Sequence, residues 1–156
     1  MERNPNLRPF VLTRAYFFGA QKYGAFWTGD NREGFPELAH TVSMLLSAGV
    51  SGMPFGGSDL PSFYGNQTEH TWVASYQLGV FMPFFRAHSH QKFKSREPWF
   101  QSIRVQKAIK SAIHLRYTLF HYLYTTFYFS TQSGAPIVRP MWQEFPKDER
   151  TFALDM

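Results

Sequence analysis

The chain has 156 residues, a formal net charge of +5 and no cysteine, which allows one domain with a substantial core and excludes a disulfide framework or thiol chemistry. Aromatic residues make up 19% of it. They cluster, as in Tyr16-Phe17-Phe18, Phe84-Phe85 and Phe127-Tyr128-Phe129, a pattern that suits a large buried interface or a carbohydrate cleft.

The basic residues are dispersed apart from Lys92, Lys94 and Arg96, and no RNP-type or zinc motif accompanies them, so no nucleic-acid partner is expected. Residues 1–7 are polar and read as a ragged start. Met1 to Pro5 lack the apolar core of a signal peptide, and no run reaches membrane-spanning length. Arg8-Pro-Phe-Val-Leu-Thr-Arg14 is a short apolar run closed by a charge, a buried strand with Arg14 at its end. Residues 16–22 read as a loop.

Ala25-Phe-Trp-Thr-Gly-Asp-Asn31 carries the strongest chemical signal. A β-compatible run reaches a turn at Gly-Asp-Asn, which sets the Asp30 carboxylate beside the Trp27 indole at the mouth of a strand. An indole next to a carboxylate suits a sugar, because the ring stacks on the pyranose face. Asp30 taken alone also fits an Asx-turn or a helix N-cap. A helix is expected from Glu33, with Pro36 in its first turn, Leu38, Val42, Leu45 and Leu46 on one side, and Gly49 as its stop.

Val50-Ser-Gly-Met-Pro-Phe55 is a third apolar run, weak as a strand because of its glycine and proline, and it leads to Gly56-Gly-Ser-Asp59. After a loop over 60–68, Thr68 to Leu78 reads as a helix with Trp72, Ser75, Tyr76 and Gly79 on one face. Asn66-Gln67-Thr68 is a glycosylation sequon, a hint of a secretory setting. Gly79-Val-Phe-Met-Pro-Phe-Phe85 is a fourth apolar run, and it ends at Arg86-Ala-His88.

The longest helical pattern spans Pro98 to Thr131, with an apolar stripe through Ile109, Ala112, Ile113, Phe120, Leu123 and Phe127. Arg116 falls on that stripe and is expected in a structural ion pair. Gly134 and Pro136 end the helix, and Ala135 to Trp142 begins something extended.

Each of the four strand-like runs ends in a charged or ionisable residue: Arg14, Asp30, Asp59 and His88. The last three are spaced at equal intervals of 29 residues. That is about the length of one βα unit. A strand, a functional residue and a helix in repetition is how a (β/α)-barrel builds a site from strand C-termini.

Arg8-Pro-Phe-Val-Leu-Thr-Arg14, Trp27-Thr-Gly-Asp-Asn31, Gly57-Ser-Asp59 with Phe63, and Phe84-Phe-Arg-Ala-His88 followed by Arg96-Glu-Pro-Trp99 occur in this order. Together they resemble glycoside hydrolase family 31, from about residue 8 to the C-terminus. The resemblance implies an α/β fold. Residues 8–133 would form the C-terminal half of a catalytic (β/α)₈ TIM barrel, and residues 134–156 the entry into a following β-domain. It implies retaining hydrolysis of α-linked glucose without a cofactor or metal.

Asp30 matches the family's general acid/base. Trp27 would wall the glucose subsite, and Arg14 would contact substrate and carboxylates. Asp59 and His88 would hold the hydroxyls of the terminal glucose, Arg86 would support them, and Phe63 would line the pocket mouth. Structural readings stay open: ion pairs for Arg14 and Arg86, a buried imidazole for His88, a turn former for Asp59.

The family's nucleophilic aspartate lies in a Trp-x-Asp-Met-Asn-Glu-type motif that does not occur here. The chain therefore reads as a segment of a larger enzyme, inactive alone. Its motifs are most similar to the family branch that trims glucose from N-glycans in the lumen of the endoplasmic reticulum, which would make a non-catalytic β subunit a partner. A lysosomal or digestive α-glucosidase, or a non-catalytic sugar-binding fragment, is the alternative. Leu60-Pro61-Ser62 departs from the small residues usual after this Gly-Ser-Asp, so the aglycone side of the site is the less defined one.

Overall fold

Short parallel strands alternate with helices in the computed structural model, which describes residues 6–7 and 9–154. Arg8, where the first strand was expected to begin, lies outside the described residues. The strands are β1 (Leu12–Thr13), β2 (Ala25–Trp27), β3 (Gly56–Gly57), β4 (Asp59–Pro61) and β5 (Arg86–His88). The helices are α1 (Phe35–Val50), α2 (Glu69–Gly79), α3 (Ile103–Thr118), α4 (Phe120–Ser133) and the single turn α5 (Met141–Glu144).

β2 lies between β1 and β3, pairing Thr13 with Phe26 and Trp27 with Gly57. β4 pairs with β5, Asp59 opposite Arg86 and Pro61 opposite His88. Every pairing is parallel. Only Ser58 separates β3 from β4, so the stretch 56–61 borders β2 on one side and β5 on the other. The Phe84 N–H donating to the Gly56 carbonyl at 2.9 Å adds a further rung. The result is a parallel α/β array.

The third and fourth strands are displaced from the apolar runs expected to form them. Residues 50–55 and 79–85 instead hold helix ends and turns, and the ladder residues are Gly56-Gly57 and Arg86–His88. The glycines are needed there. A Cβ on Gly56 would run into the Phe26 ring, and one on Gly57 into the Phe84 backbone. Glycine in a strand marks such close approach.

α1 and α2 form nearly as expected. Gly49 does not stop α1. It lies inside the helix, where Pro136 packs so closely that a Cβ would stand 3.0 Å from the proline's own Cβ. The left-handed position that ends the helix is Gly52, at φ +89°. On α2, Thr68 caps the N-terminus by accepting the Thr71 N–H, and Trp72, Ser75, Tyr76 and Gly79 form the buried face. That face meets α3 through Val105, Ile109 and Ala112, and the core also takes in Phe26, Leu45, Leu60, Val80 and Met82.

The pattern over 98–131 forms two helices rather than one. A 3₁₀ turn covers Pro98–Phe100, and the helix breaks at Leu119. There the Thr118 hydroxyl donates back to the Leu115 carbonyl at 2.7 Å, and the Leu119 N–H is shared between the Leu115 and Arg116 carbonyls. A threonine that competes for backbone acceptors in this way disfavours straight helix. Ala135–Trp142 is not extended throughout, since α5 begins at Met141. Gly134 caps α4 at φ +74°, as its position suggested.

Arg116 makes no ion pair among the described residues. Its Nη1 donates to the carbonyls of Val80 and Met82 at 2.7 Å each and to Gly79 at 3.4 Å, while Nη2 donates to Pro83 at 3.1 Å. The guanidinium thus gathers the carbonyls at and just past the end of α2 and stacks 4.9 Å from the Phe85 ring. Arg116→Met should keep the packing of the stem and strand those acceptors. A loss of about 1.5–3 kcal/mol is expected, the value of hydrogen bonds to a charged group, read as a lower unfolding midpoint. An unchanged midpoint would make the arrangement incidental.

Candidate functional site

Asp59 opens β4 with its side chain fully buried. Its Oδ1 accepts from Arg86 Nε at 3.1 Å and also from Nη2, because parallel register sets Arg86 directly opposite. Its Oδ2 is buried with no hydrogen-bond partner among the described residues. Burial is the largest influence on this carboxyl and pushes its pKa up. The bonds and charge of Arg86 pull the other way, as does His88, while the charge of Asp30 adds to the rise.

The Arg86 guanidinium then lies 5.3 Å from the Trp27 ring and 5.4 Å from Phe84. Arg14, just past β1, reaches the same indole at 5.9 Å and holds Asp30 Oδ1 at 3.5 Å. Two guanidiniums therefore attend one indole, a geometry within cation–π range. Gly29 takes a left-handed conformation (φ +85°) between β2 and Asp30, which a side chain would strain. Arg14 is 61% exposed and Asp30 24%. A pair so open adds little to stability, so its value lies in what it holds in place.

Phe63 and His88 complete the cluster with ring centroids 5.4 Å apart. His88 ends β5 and is exposed, not a buried imidazole. Asp59 belongs to a strand and is not a turn former. Asp30 is not the N-cap of α1, which starts behind Gly34 without a side-chain cap. Arg14 follows β1, Trp27 ends β2 with Asp30 just beyond it, His88 ends β5 and Phe63 follows β4, while Asp59 and Arg86 face each other on the first residues of β4 and β5.

Sequence reasoning overlooked the residues that fix the Phe63 loop. Asn31 donates from Nδ2 to the Asp59 carbonyl at 3.0 Å and accepts the Phe63 N–H on Oδ1 at 2.9 Å. Arg96 is buried, and its Nη2 donates to the Gly65 carbonyl at 2.6 Å. Tyr64 and His90 crowd Phe63 from beyond, at 4.8 and 5.5 Å between ring centroids. Asn31 was visible only as part of a motif. Nothing in a one-dimensional pattern marks an amide that bonds to a strand 28 residues away and to a loop 32 residues away.

A parallel α/β array that sets carboxylates, guanidiniums and an indole on and just past its strands is laid out as a (β/α)-barrel builds a site. Residues 1–126 match the model for the glycosyl hydrolases family 31 TIM-barrel domain, and the chain belongs to that family. It is 47% identical over 148 residues to an Arabidopsis thaliana protein named "Probable glucan 1,3-alpha-glucosidase", covering 95% of this chain and 16% of that one. It is 45% identical over 148 residues to Neutral alpha-glucosidase C of Mus musculus, with the same coverage. Among solved structures it is similar to glucosidase II alpha subunit bound to Glc1Man2, with TM-score 0.93, 41% identity, 99% of this chain and 17% of that one. The chain thus spans about a sixth of the length of the relatives it matches.

Proposed function

We propose that this chain forms part of a retaining α-glucosidase that removes terminal α-linked glucose, with Asp30 as its general acid/base. The observation that supports this most directly is the Asp30 carboxyl held by Arg14 beside the Trp27 indole at the end of a parallel strand. In such an enzyme one carboxylate attacks the anomeric carbon while the other gives its proton to the departing oxygen and later takes one from water. Trp27 and Phe63 supply apolar walls, and His88 offers an imidazole to the sugar hydroxyls. Asp59, being sealed from solvent, acts on the sugar through the Arg86 it orients. Residues 8–133 are assigned to the barrel and 134–156 to the entry of a following domain.

The names of the relatives support an α-1,3 linkage and the trimming of glucose from N-glycans. They also support the endoplasmic reticulum lumen as location, and a non-catalytic glucosidase II β subunit as partner, since a solved relative is a heterodimer with the binding domain of a regulatory subunit. No helix among the described residues is long and apolar enough to cross a membrane.

Among the described residues Asp59 feels the charge of Asp30, but it is bound to Arg86 and buried. It is therefore in no position to attack the anomeric carbon, and the nucleophile must come from a longer enzyme. The test is hydrolysis of an α-1,3-linked glucose disaccharide followed by NMR. The enzyme carrying this chain should release α-glucose first, and residues 1–156 alone should release none. Release of β-glucose first, or turnover by the 156 residues alone, would overturn the assignment.

A further inference from the structure

We propose that Asn31 is a positioning residue that sets the gap between the Asp30 carboxyl and the Phe63 wall, and so governs how the leaving group meets its proton donor. The inference rests on the acid/base reading of Asp30. Past β2 the Thr28 N–H donates to the Gly57 carbonyl at 3.0 Å, the last rung between the two segments. Beyond it lies Gly29, in a left-handed conformation that constrains its neighbours weakly. The Asp30 side chain is held, among the described residues, by the exposed Arg14 contact at 3.5 Å. The next residue is Asn31, and it is bonded on every side.

Its amide uses both of its chemistries at once. Nδ2 donates to the Asp59 carbonyl and Oδ1 accepts from the Phe63 N–H, so one planar group spans the stretch from β4 to the aromatic wall. The Asn31 backbone carbonyl also accepts the N–H groups of Phe63 at 3.1 Å and Tyr64 at 3.0 Å. The loop that presents Asp30 and the loop that presents Phe63 are thereby joined at the residue adjacent to the carboxyl. Only a primary amide offers a donor and an acceptor in this fork. Aspartate would turn an oxygen toward the Asp59 carbonyl, glutamine would be one methylene too long, and alanine would leave both loops untied.

A donor displaced by about an ångström can cost about 100-fold in rate. The cost falls on substrates whose departing oxygen needs a proton and spares those whose leaving group departs unaided. In the full-length enzyme, Asn31→Ala and Asn31→Asp should lower kcat on an α-1,3-linked glucose disaccharide by about 100-fold. On 4-nitrophenyl α-glucoside the loss should be less than about one tenth of that. Inhibition by a glucose-shaped iminosugar should change little, since the glucose pocket is left in place.

Asn31→Ser, whose hydroxyl is too short to bridge but keeps a polar group, provides the same test should the other variants not fold. Equal losses on both substrates, or none on the disaccharide with the fold intact, would overturn the proposal. Asp30→Asn runs beside them as a separate reading. If that variant shows no dependence on the leaving group, the acid assignment fails on its own. If it does show that dependence and the Asn31 variants do not, only the positioning role fails.

Discussion

Asp30→Asn in the full-length enzyme is expected to lower hydrolysis of an α-1,3-linked glucose disaccharide by about 10²–10⁴-fold, the usual contribution of a positioned general acid. An asparagine keeps the size of the side chain and its place beside Arg14 but has no acidic proton to deliver. A sugar alkoxide is a poor leaving group and suffers the whole loss. 4-Nitrophenolate departs without help, so the first step on the aryl glucoside should suffer much less and the glycosyl-enzyme should accumulate. Azide, which attacks without base assistance, should then speed turnover. Equal losses on both substrates in a folded variant, with no response to azide, would remove Asp30 from the acid role.

Asp59→Ala should be the most damaging change to the structure around the site. It leaves the Arg86 guanidinium half-buried with no carboxylate, and breaking such a pair costs about 3–5 kcal/mol. A combined Asp59→Leu, Arg86→Met variant replaces both charges by apolar groups. It should regain much of the stability, as buried pairs often allow, and none of the activity, because the Trp27 ring loses the nearer of its two guanidiniums and the site loses the charge that Asp59 orients. Recovery of activity together with stability would reduce Asp59 and Arg86 to packing.

The pH dependence has a definite sign. The folded-state pKa of Asp59 lies above that of the unfolded chain, chiefly through burial. The folded state therefore holds the proton more tightly. The stability this group contributes is full below the unfolded value near 3.8 and is lost as pH rises through the raised folded value. Against Asp59→Asn, the wild type should gain ground in unfolding midpoint as pH falls from neutral toward 4. A gap between the two that stays constant with pH would show that Asp59 keeps an ordinary pKa.

The chemistry of the site was easier to read from the sequence than the ladders that hold it. Arg14, Asp30, Asp59 and His88 could be picked out because each follows a run of apolar residues, and charge after apolarity survives in one dimension. The strands themselves could not be placed as well. Gly56-Gly57 and Arg86–His88 have poor β propensity and pair because their neighbours demand it. The helices α1 and α2 followed their apolar stripes because periodicity and burial agreed there. The equal 29-residue spacing led to the right architecture, yet it does not describe the register: the partner of Asp59 is Arg86, and His88 sits opposite Pro61. The break at Leu119 left the stripe uninterrupted and so gave no sign of itself. Arg116 looked like half of an ion pair because composition cannot reveal a cluster of carbonyls as the partner.

The stretch from Gly56 to Pro61 serves two ladders in succession, Gly56–Gly57 pairing with β2 and Asp59–Pro61 with β5. Such a strand works like a shared wall between two rooms: neither can be remodelled while the other stays as it was. Selection for a new sugar at the Asp59 end would disturb the neighbour that carries Trp27, and the bare glycines at 56 and 57 offer no side chain with which to compensate. Variation should therefore collect in side chains of the loop from Ser62 onward, which lie outside both ladders and meet the Asp30 loop through backbone groups held by Asn31. A directed-evolution library aimed at altered specificity would do best to leave the wall untouched and draw its diversity from that loop.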